Sequence, residues 1–226
     1  METLRIPGVQ VDERRHSRVL QSPLAAPRGG IMLHYDDSSR DDWAVAWFSD
    51  PRCTNGYTWL VLDDGRVIEL ADPALRTPHA GSCRTPRANS VFYGIAAATN
   101  GYVPATDAQR RSLAALGAAV IRHHQWVIPS ATDLTARVVG HDEQAIWTAA
   151  STPQRALWGS TERKVDPTGR RADGRAIISV SDMRDRIFSL LIDGGRLDDA
   201  IARVCPRQQS HARANRGRTP TRVGSR

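Results

Sequence analysis

The first twenty residues, METLRIPGVQVDERRHSRVL, scatter single apolar positions among charges and never gather them into a run. That pattern predicts an irregular arm over residues 1–27. Gly29–Gly30 then introduces IMLHY, a compact apolar stretch that reads as a buried strand closing at His34. WAVAWF follows Asp41–Asp42 and reads as a helix whose acidic first turn suits the helix dipole. YTWLVL (57–62) and VIEL (67–70) flank Asp63-Asp64-Gly65-Arg66, which predicts a β-hairpin. SVFYGIAAA (90–98) reads as another buried strand, stopped by Asn100–Gly101.

From Thr106 the apolar period becomes helical. Thr106 and Gln109 form a capping box, and Leu113, Leu116, Val120 and Ile121 keep helical spacing, so a helix is expected to about Trp126, short of Pro129. ARVVGH predicts a short strand closed by Gly140 and His141. Residues 142–163, with Trp147, Pro153 and Trp158, read as a short helix and a loop. Ser181 is the predicted cap of an amphipathic helix running through Ile192, and Leu197 to Val204 add one or two turns. Strands alternate with helices, yet the hairpin imposes antiparallel pairing. The expected fold is therefore α/β: a single three-layer domain over residues 28–204, with a central mixed β-sheet flanked by helices. Residues 205–226, PRQQSHARANRGRTPTRVGSR after Cys205, have almost no apolar content and are expected to form a disordered basic tail.

Composition sharpens this picture. With 226 residues, 40% of them hydrophobic, and six tryptophans, the chain can bury the core of one domain. Its net charge of +7 is concentrated at the C-terminus: six arginines lie in residues 206–226 without one acidic residue, which leaves the body at about +1. A near-neutral body without an aromatic, basic face argues against nucleic acid as a partner. The tail reads either as a tether to a polyanion, such as an anionic wall polymer, or as a solubilising segment. The longest apolar window, LAALGAAVI (113–121), is too short for a bilayer, which takes about 20 residues. The N-terminus has no apolar core of a signal peptide. Synthesis in the cytoplasm without a signal peptide is expected, with any action on an external substrate following release. Cys53, Cys83 and Cys205 show no pairing framework, and free thiols are expected. A monomer is expected.

The candidate chemistry starts from one cation. The chain has thirty arginines and a single lysine, Lys164, in Arg163-Lys164-Val165-Asp166-Pro167. An ammonium on a flexible stem is a compact point donor in a way that a planar guanidinium is not. His34 and His141 each close an apolar strand, from which a side chain can project into a cleft. Asp166 can add an anionic ligand, and a His-His-Asp set leaves a fourth position open for water, as a hydrolytic zinc site requires. Taken singly, a histidine closing a strand is commonly a satisfied core residue, and Asp-Pro commonly starts a turn. The acidic pairs Asp36–Asp37, Asp41–Asp42 and Asp63–Asp64 read as turn and helix-start residues, not as glycosidase carboxylates. His123–His124 suit the end of a helix. There is no phosphate-binding glycine loop and no GxSxG elbow.

The order MLHY, GYTW, PHAG, VVGH and RKVDPTG, over residues 30 to 170, resembles the zinc-dependent N-acetylmuramoyl-L-alanine amidases, which include phage lysozyme-type amidases and peptidoglycan recognition proteins. The most specific part is VGH followed by RKVDPTG. The resemblance implies one zinc ion held by His34, His141 and Asp166, with Lys164 stabilising the oxyanion and Tyr57 as a second catalytic residue. It implies that His79, in PHAG, lines the substrate groove. It implies peptidoglycan as the partner, and hydrolysis of the amide between N-acetylmuramic acid and L-alanine. A non-catalytic peptidoglycan-binding protein of the same fold is the alternative. The chain departs from the pattern twice. Many bacterial members carry a glutamate where Ala96 stands in YGIAAATNG, and the segment from His141 to Lys164 is longer than in simple members.

Overall fold

The computed structural model describes residues 11–14, 21–81, 88–143, 166–169, 173 and 175–193, and the structural statements below concern these residues. The elements in chain order are β1 (Glu13–Arg14), β2 (Gly30–Tyr35), α1 (Asp41–Ser49), β3 (Trp59–Val61), β4 (Val67–Glu69) and α2 (Ala88–Val91). They continue with β5 (Phe92–Ala97), α3 (Asp107–His123), a 3-10 turn (Ala131–Ala136), β6 (Val138–Gly140) and α4 (Val180–Ile192).

The strands make one mixed sheet in the order β1-β4-β3-β5-β2-β6. β3 and β4 pair antiparallel, as the hairpin pattern predicts, while every other pairing is parallel. β2 lies between β5 and β6, with His34 opposite Ala96 and Leu33 opposite Gly140. Because side chains alternate along a strand, β2 feeds both faces. Ile31, Leu33 and Tyr35 enter the larger core with Trp59, Val61, Ile95 and Val138, against Leu113, Leu116 and Val120 of α3 and Met183 and Ile187 of α4. On the other face Leu60, Ile68 and Ala96 pack against Ala44, Val45 and Phe48 of α1. Met32, Phe92 and Val139 pack with Ala80, Ala88 and Val91. His34 shares this second face with Met32 and stands where the two smaller clusters meet. The helices on either side of the sheet make the three layers that the alternation of elements predicts.

Three local expectations are corrected. The strand expected over 90–98 begins at Phe92, because Ala88–Val91 forms a helical turn. The cap of α4 is Ser179, whose hydroxyl accepts from the Asp182 N–H, and not Ser181. The described residues of the N-terminal arm are not irregular throughout: β1 pairs with β4, and Ser22 bridges to Arg76. The capping box of Thr106 and Gln109 forms as expected, and α3 ends at His123. The expectations for residues 144–165, for Leu197 to Val204 and for the tail lie outside the described residues.

Arg28 fixes the start of the domain. It is 9% exposed, and its guanidinium donates to the carbonyls of Ser90, Phe92, Pro73 and Leu75 while lying 4.1 Å from the Tyr93 ring centroid. Burial lowers its pKa to about 10, which still leaves it charged at neutral pH. Cys53 is a buried free thiol. No helix among the described residues is long and apolar enough to cross a membrane.

Candidate metal centre

The parallel pairing of β2 with β6 brings the ends of these two strands together. His34 is the penultimate residue of β2, and His141 follows β6 directly. The His141 N–H donates to the Leu33 carbonyl at 3.2 Å, so the ladder fixes the backbone beside both histidines. The segment 166–169 is then tied alongside. The Asp142 N–H donates to the Asp166 carbonyl, Thr168 donates its hydroxyl to the Asp142 carboxylate, and the N–H groups of Ile177 and Ile178 donate to Thr168 and Pro167.

These contacts converge on one point. Asp166 Oδ2 is 2.7 Å from His34 Nδ1 and 3.0 Å from His141 Nδ1. The ring centroids of the two histidines are 4.6 Å apart. One donor atom from each of His34, His141 and Asp166 lies within 4.8 Å of the others, and no other group of this kind occurs among the described residues. His34 is fully buried and His141 nearly so, while the Asp166 side chain keeps 16% exposure. Burial alone pushes the Asp166 carboxyl up. When the ring nitrogens that face it carry protons, hydrogen bonds from His141 and His34 outweigh burial and hold the carboxyl well below the ordinary carboxylate range.

An imidazole can meet that carboxylate either as a proton donor or as a fellow ligand of a cation. The outer hydrogen bonds decide which role each ring is prepared for, because a partner with only lone pairs fixes the tautomer. His79 Nε2 lies 2.9 Å from the Phe92 carbonyl, which only accepts, so this nitrogen carries the His79 proton. His79 is buried, and a neutral ring with its proton on Nε2 presents a lone pair at Nδ1. That lone pair faces His34 Nε2 at 3.1 Å, and His34 therefore donates from Nε2. His141 Nε2 donates in the same way to the Ala80 carbonyl at 3.2 Å. Both rings then turn Nδ1 lone pairs onto an ionised carboxylate. Three lone-pair donors at one point repel unless a cation lies among them, and two imidazoles with a carboxylate are a ligand set that zinc accepts. The donor chemistry fits the divalent metal.

The other sequence-predicted residues divide. The Tyr57 ring centroid is 4.9 Å from that of His34, and its hydroxyl donates to the Tyr35 carbonyl at 3.3 Å. Burial, and then the charges of Asp166, Asp36 and Asp37, push its pKa well above 10, so it stays a phenol. His79 is 5% exposed and sits behind His34. Lys164 lies outside the described residues. Ala96 is fully buried opposite His34, where no carboxylate stands. His123 and His124 lie apart from the cluster; His124 stacks on Trp126 and pairs with the Tyr93 hydroxyl. Sequence reasoning missed Ala80, Asn89 and Gly94 around His79. Ala80 lies within the PHAG motif, and Asn89 and Gly94 carry no local signal of this role.

The sequence profile of the N-acetylmuramoyl-L-alanine amidases matches residues 25–169. That span includes the strands β2 to β6 and every member of the cluster. No curated protein matches the chain in sequence. Among solved structures, the fold is similar to that of a selenomethionine derivative of AmpD, with a TM-score of 0.56 and 18% identity over 81% of this chain and 99% of that one. It is also similar to the hydrolase AmiA of Staphylococcus aureus in complex with its ligand, with a TM-score of 0.57 and 15% identity over 84% of this chain and 87% of that one. At such identities the likeness speaks for the fold, and the profile match over residues 25–169 speaks for descent. The chain belongs to the N-acetylmuramoyl-L-alanine amidase family.

Proposed function

We propose that this chain is a zinc-dependent amidase that hydrolyses the bond between the lactyl group of N-acetylmuramic acid and the L-alanine of the peptide stem in peptidoglycan. The observation that carries the reading is that one donor atom each of His34, His141 and Asp166 lies within 4.8 Å of the others, with His34 Nδ1 and His141 Nδ1 at 2.7 and 3.0 Å from Asp166 Oδ2 and both outer ring nitrogens hydrogen-bonded. A zinc ion bound there would polarise the scissile carbonyl and acidify water for attack. The chain's own groups supply the rest. His34, His141 and Asp166 hold the metal, with Asp166 contributing the negative charge. Lys164 donates to the oxygen on which charge develops in the transition state. Tyr57 stays a phenol at neutral pH, so it serves as a hydrogen-bond donor that orients a reacting group, and not as the general base.

Digestion of purified peptidoglycan tests this directly. The expected products are new alanine amino termini without new reducing sugar ends, and the chelator EDTA stops their release. Reducing ends instead of alanine termini would make the enzyme a glycosidase and end the reading. Lys164→Ala is expected to lower kcat by about 10²–10³ while leaving the zinc content at wild-type level.

One observation favours a second reading. Ala96 stands opposite His34 in register, where the family resemblance implies a glutamate in many bacterial members, so no carboxylate is offered from β5. A protein of this fold that grips peptidoglycan without cleaving it would tolerate that residue. It would bind insoluble peptidoglycan and release nothing from it. In the catalytic reading the chain acts as a phage or prophage endolysin, made in the cytoplasm and reaching the wall after release. Its arginine-rich tail then holds it against anionic wall polymer.

A further inference from the structure

The segment His79–Ala80 touches both histidines of the cluster, on the side away from Asp166. His79 Nδ1 accepts from His34 Nε2 at 3.1 Å, and the Ala80 carbonyl accepts from His141 Nε2 at 3.2 Å. Two neighbouring residues of one loop thus take the outer proton of each ring. The loop is itself held from behind. His79 Nε2 donates to the Phe92 carbonyl at 2.9 Å, and the Ala80 N–H donates to Asn89 Oδ1 at 2.6 Å, a buried contact. The Phe92 carbonyl also receives Arg28 Nη1 at 2.7 Å, so the anchor of the relay is pinned a second time.

Gly94 makes room for this arrangement. A Cβ at that position of β5 would lie 2.6 Å from His79 Cγ, 2.8 Å from its Cβ and 3.0 Å from its Nδ1. The clash falls on the root of the His79 side chain, close to its backbone, and rotation of the ring alone cannot relieve it. The strand carries a glycine where the second-face neighbours Phe92 and Ala96 carry side chains.

We infer that His79–Ala80 is the positioning element of the metal centre: it selects the Nε2–H tautomer of both His34 and His141 and so presents both Nδ1 lone pairs to the ion. The inference rests on the metal reading above and deepens it. It gives His79 a place behind the site instead of the groove-lining role that the family resemblance implies. Ligand-orienting partners of this kind are worth about 10–100-fold in metal affinity.

The test is zinc affinity of the full chain, measured by competition with a chromogenic chelator, together with ¹⁵N-histidine NMR of the zinc-loaded wild type. His79→Ala is expected to weaken zinc binding by about 10–100-fold. His79→Gln is expected to retain most of the affinity, since the amide oxygen accepts from His34 while the amide nitrogen donates to Phe92. Gly94→Ala removes no hydrogen-bonding group and is expected to weaken zinc binding all the same, by displacing His79. In the wild type, His34 and His141 are each expected to carry a proton on Nε2 and to bind metal through Nδ1. A folded His79→Ala protein with wild-type zinc affinity, or coordination of His34 through Nε2, would overturn the inference and leave the metal reading standing. A wild type that takes up no zinc would overturn both. Should His79→Ala fail to fold, the wild-type NMR spectrum and the Gly94→Ala affinity decide.

Discussion

At the scale of single residues, a few side chains carry obligations that their sequence neighbours do not reveal. His124 is an example away from the metal centre. It stacks on Trp126 with ring centroids 4.7 Å apart and pairs with the Tyr93 hydroxyl at 3.0 Å. Burial, and then the charges of His123 and Arg28, lower its pKa to about 4. A histidine whose folded pKa lies below its unfolded value of about 6.5 favours the folded state fully above pH 6.5, and loses that contribution as pH falls toward 4. The thermal midpoint of the wild type relative to His124→Gln should therefore drop between about pH 7 and pH 4; a gap constant with pH would show that the ring titrates normally. Arg28→Ala removes a donor from four carbonyls, of which Phe92 keeps His79, and should cost about 2–4 kcal/mol by urea unfolding. The sequence identified His34, His141 and Asp166 as candidates because each closes a strand or stands beside the lone lysine. It gave His79 a place lining the substrate groove through the family resemblance, and a groove-lining histidine and a histidine behind a ligand leave the same letter in PHAG. Gly94 and Ala80 act through backbone and empty space, which no residue pattern displays.

At the scale of elements, the apolar periodicity was informative wherever an element had a chemical boundary. The hairpin is marked by Asp64–Gly65 between two β-rich runs, and α3 by its capping box, and both form as the pattern predicts. Boundaries without such a mark were illegible. SVFYGIAAA is apolar without interruption, so the passage from the α2 turn into β5 has no signature. In the stretch Ser179-Val180-Ser181, either serine can cap α4, and the hydrogen bond goes to the first. β1 belongs to a charged arm, where two residues joining an edge give no alternation to read. The start of α3 offers a graded test. Thr106 accepts from the Gln109 N–H and donates to the Asp63 carbonyl at 2.7 Å, and the Gln109 side-chain amide donates to the buried carbonyls of Val61 and Ala98. Thr106→Ala should cost about 1 kcal/mol, the worth of a cap. Gln109→Ala should cost more, about 2–4 kcal/mol, because it removes a buried donor from the Val61 and Ala98 carbonyls, of which Val61 keeps the Ala98 N–H, and also the acceptor of the Thr106 N–H. Equal costs in denaturant unfolding would contradict this ranking.

At the scale of the whole molecule, the sheet order is what turns distant letters into a site. His34 and His141 are separated by more than a hundred residues, and they meet because β6 docks against β2 in parallel. Neither the order β5-β2-β6 nor the docking of 166–169 beside it follows from any local pattern, which is why the residues could be named one by one as candidates while their convergence was implied by the resemblance of the spaced motifs. The charge distribution makes a separate prediction. With the net +7 carried almost wholly by residues 206–226, their deletion should abolish binding to an anionic polymer in a salt-dependent assay and leave amide hydrolysis largely intact. Loss of hydrolysis with the tail would show that the catalytic domain depends on it. The central claim is that three side chains brought together by the sheet hold one metal ion. Its most direct measurement is the zinc content of purified protein, wild type beside His141→Ala. The account predicts a single zinc per chain in the wild type and its loss in the variant. A metal-free wild type, or a His141→Ala protein that keeps its zinc, would contradict it.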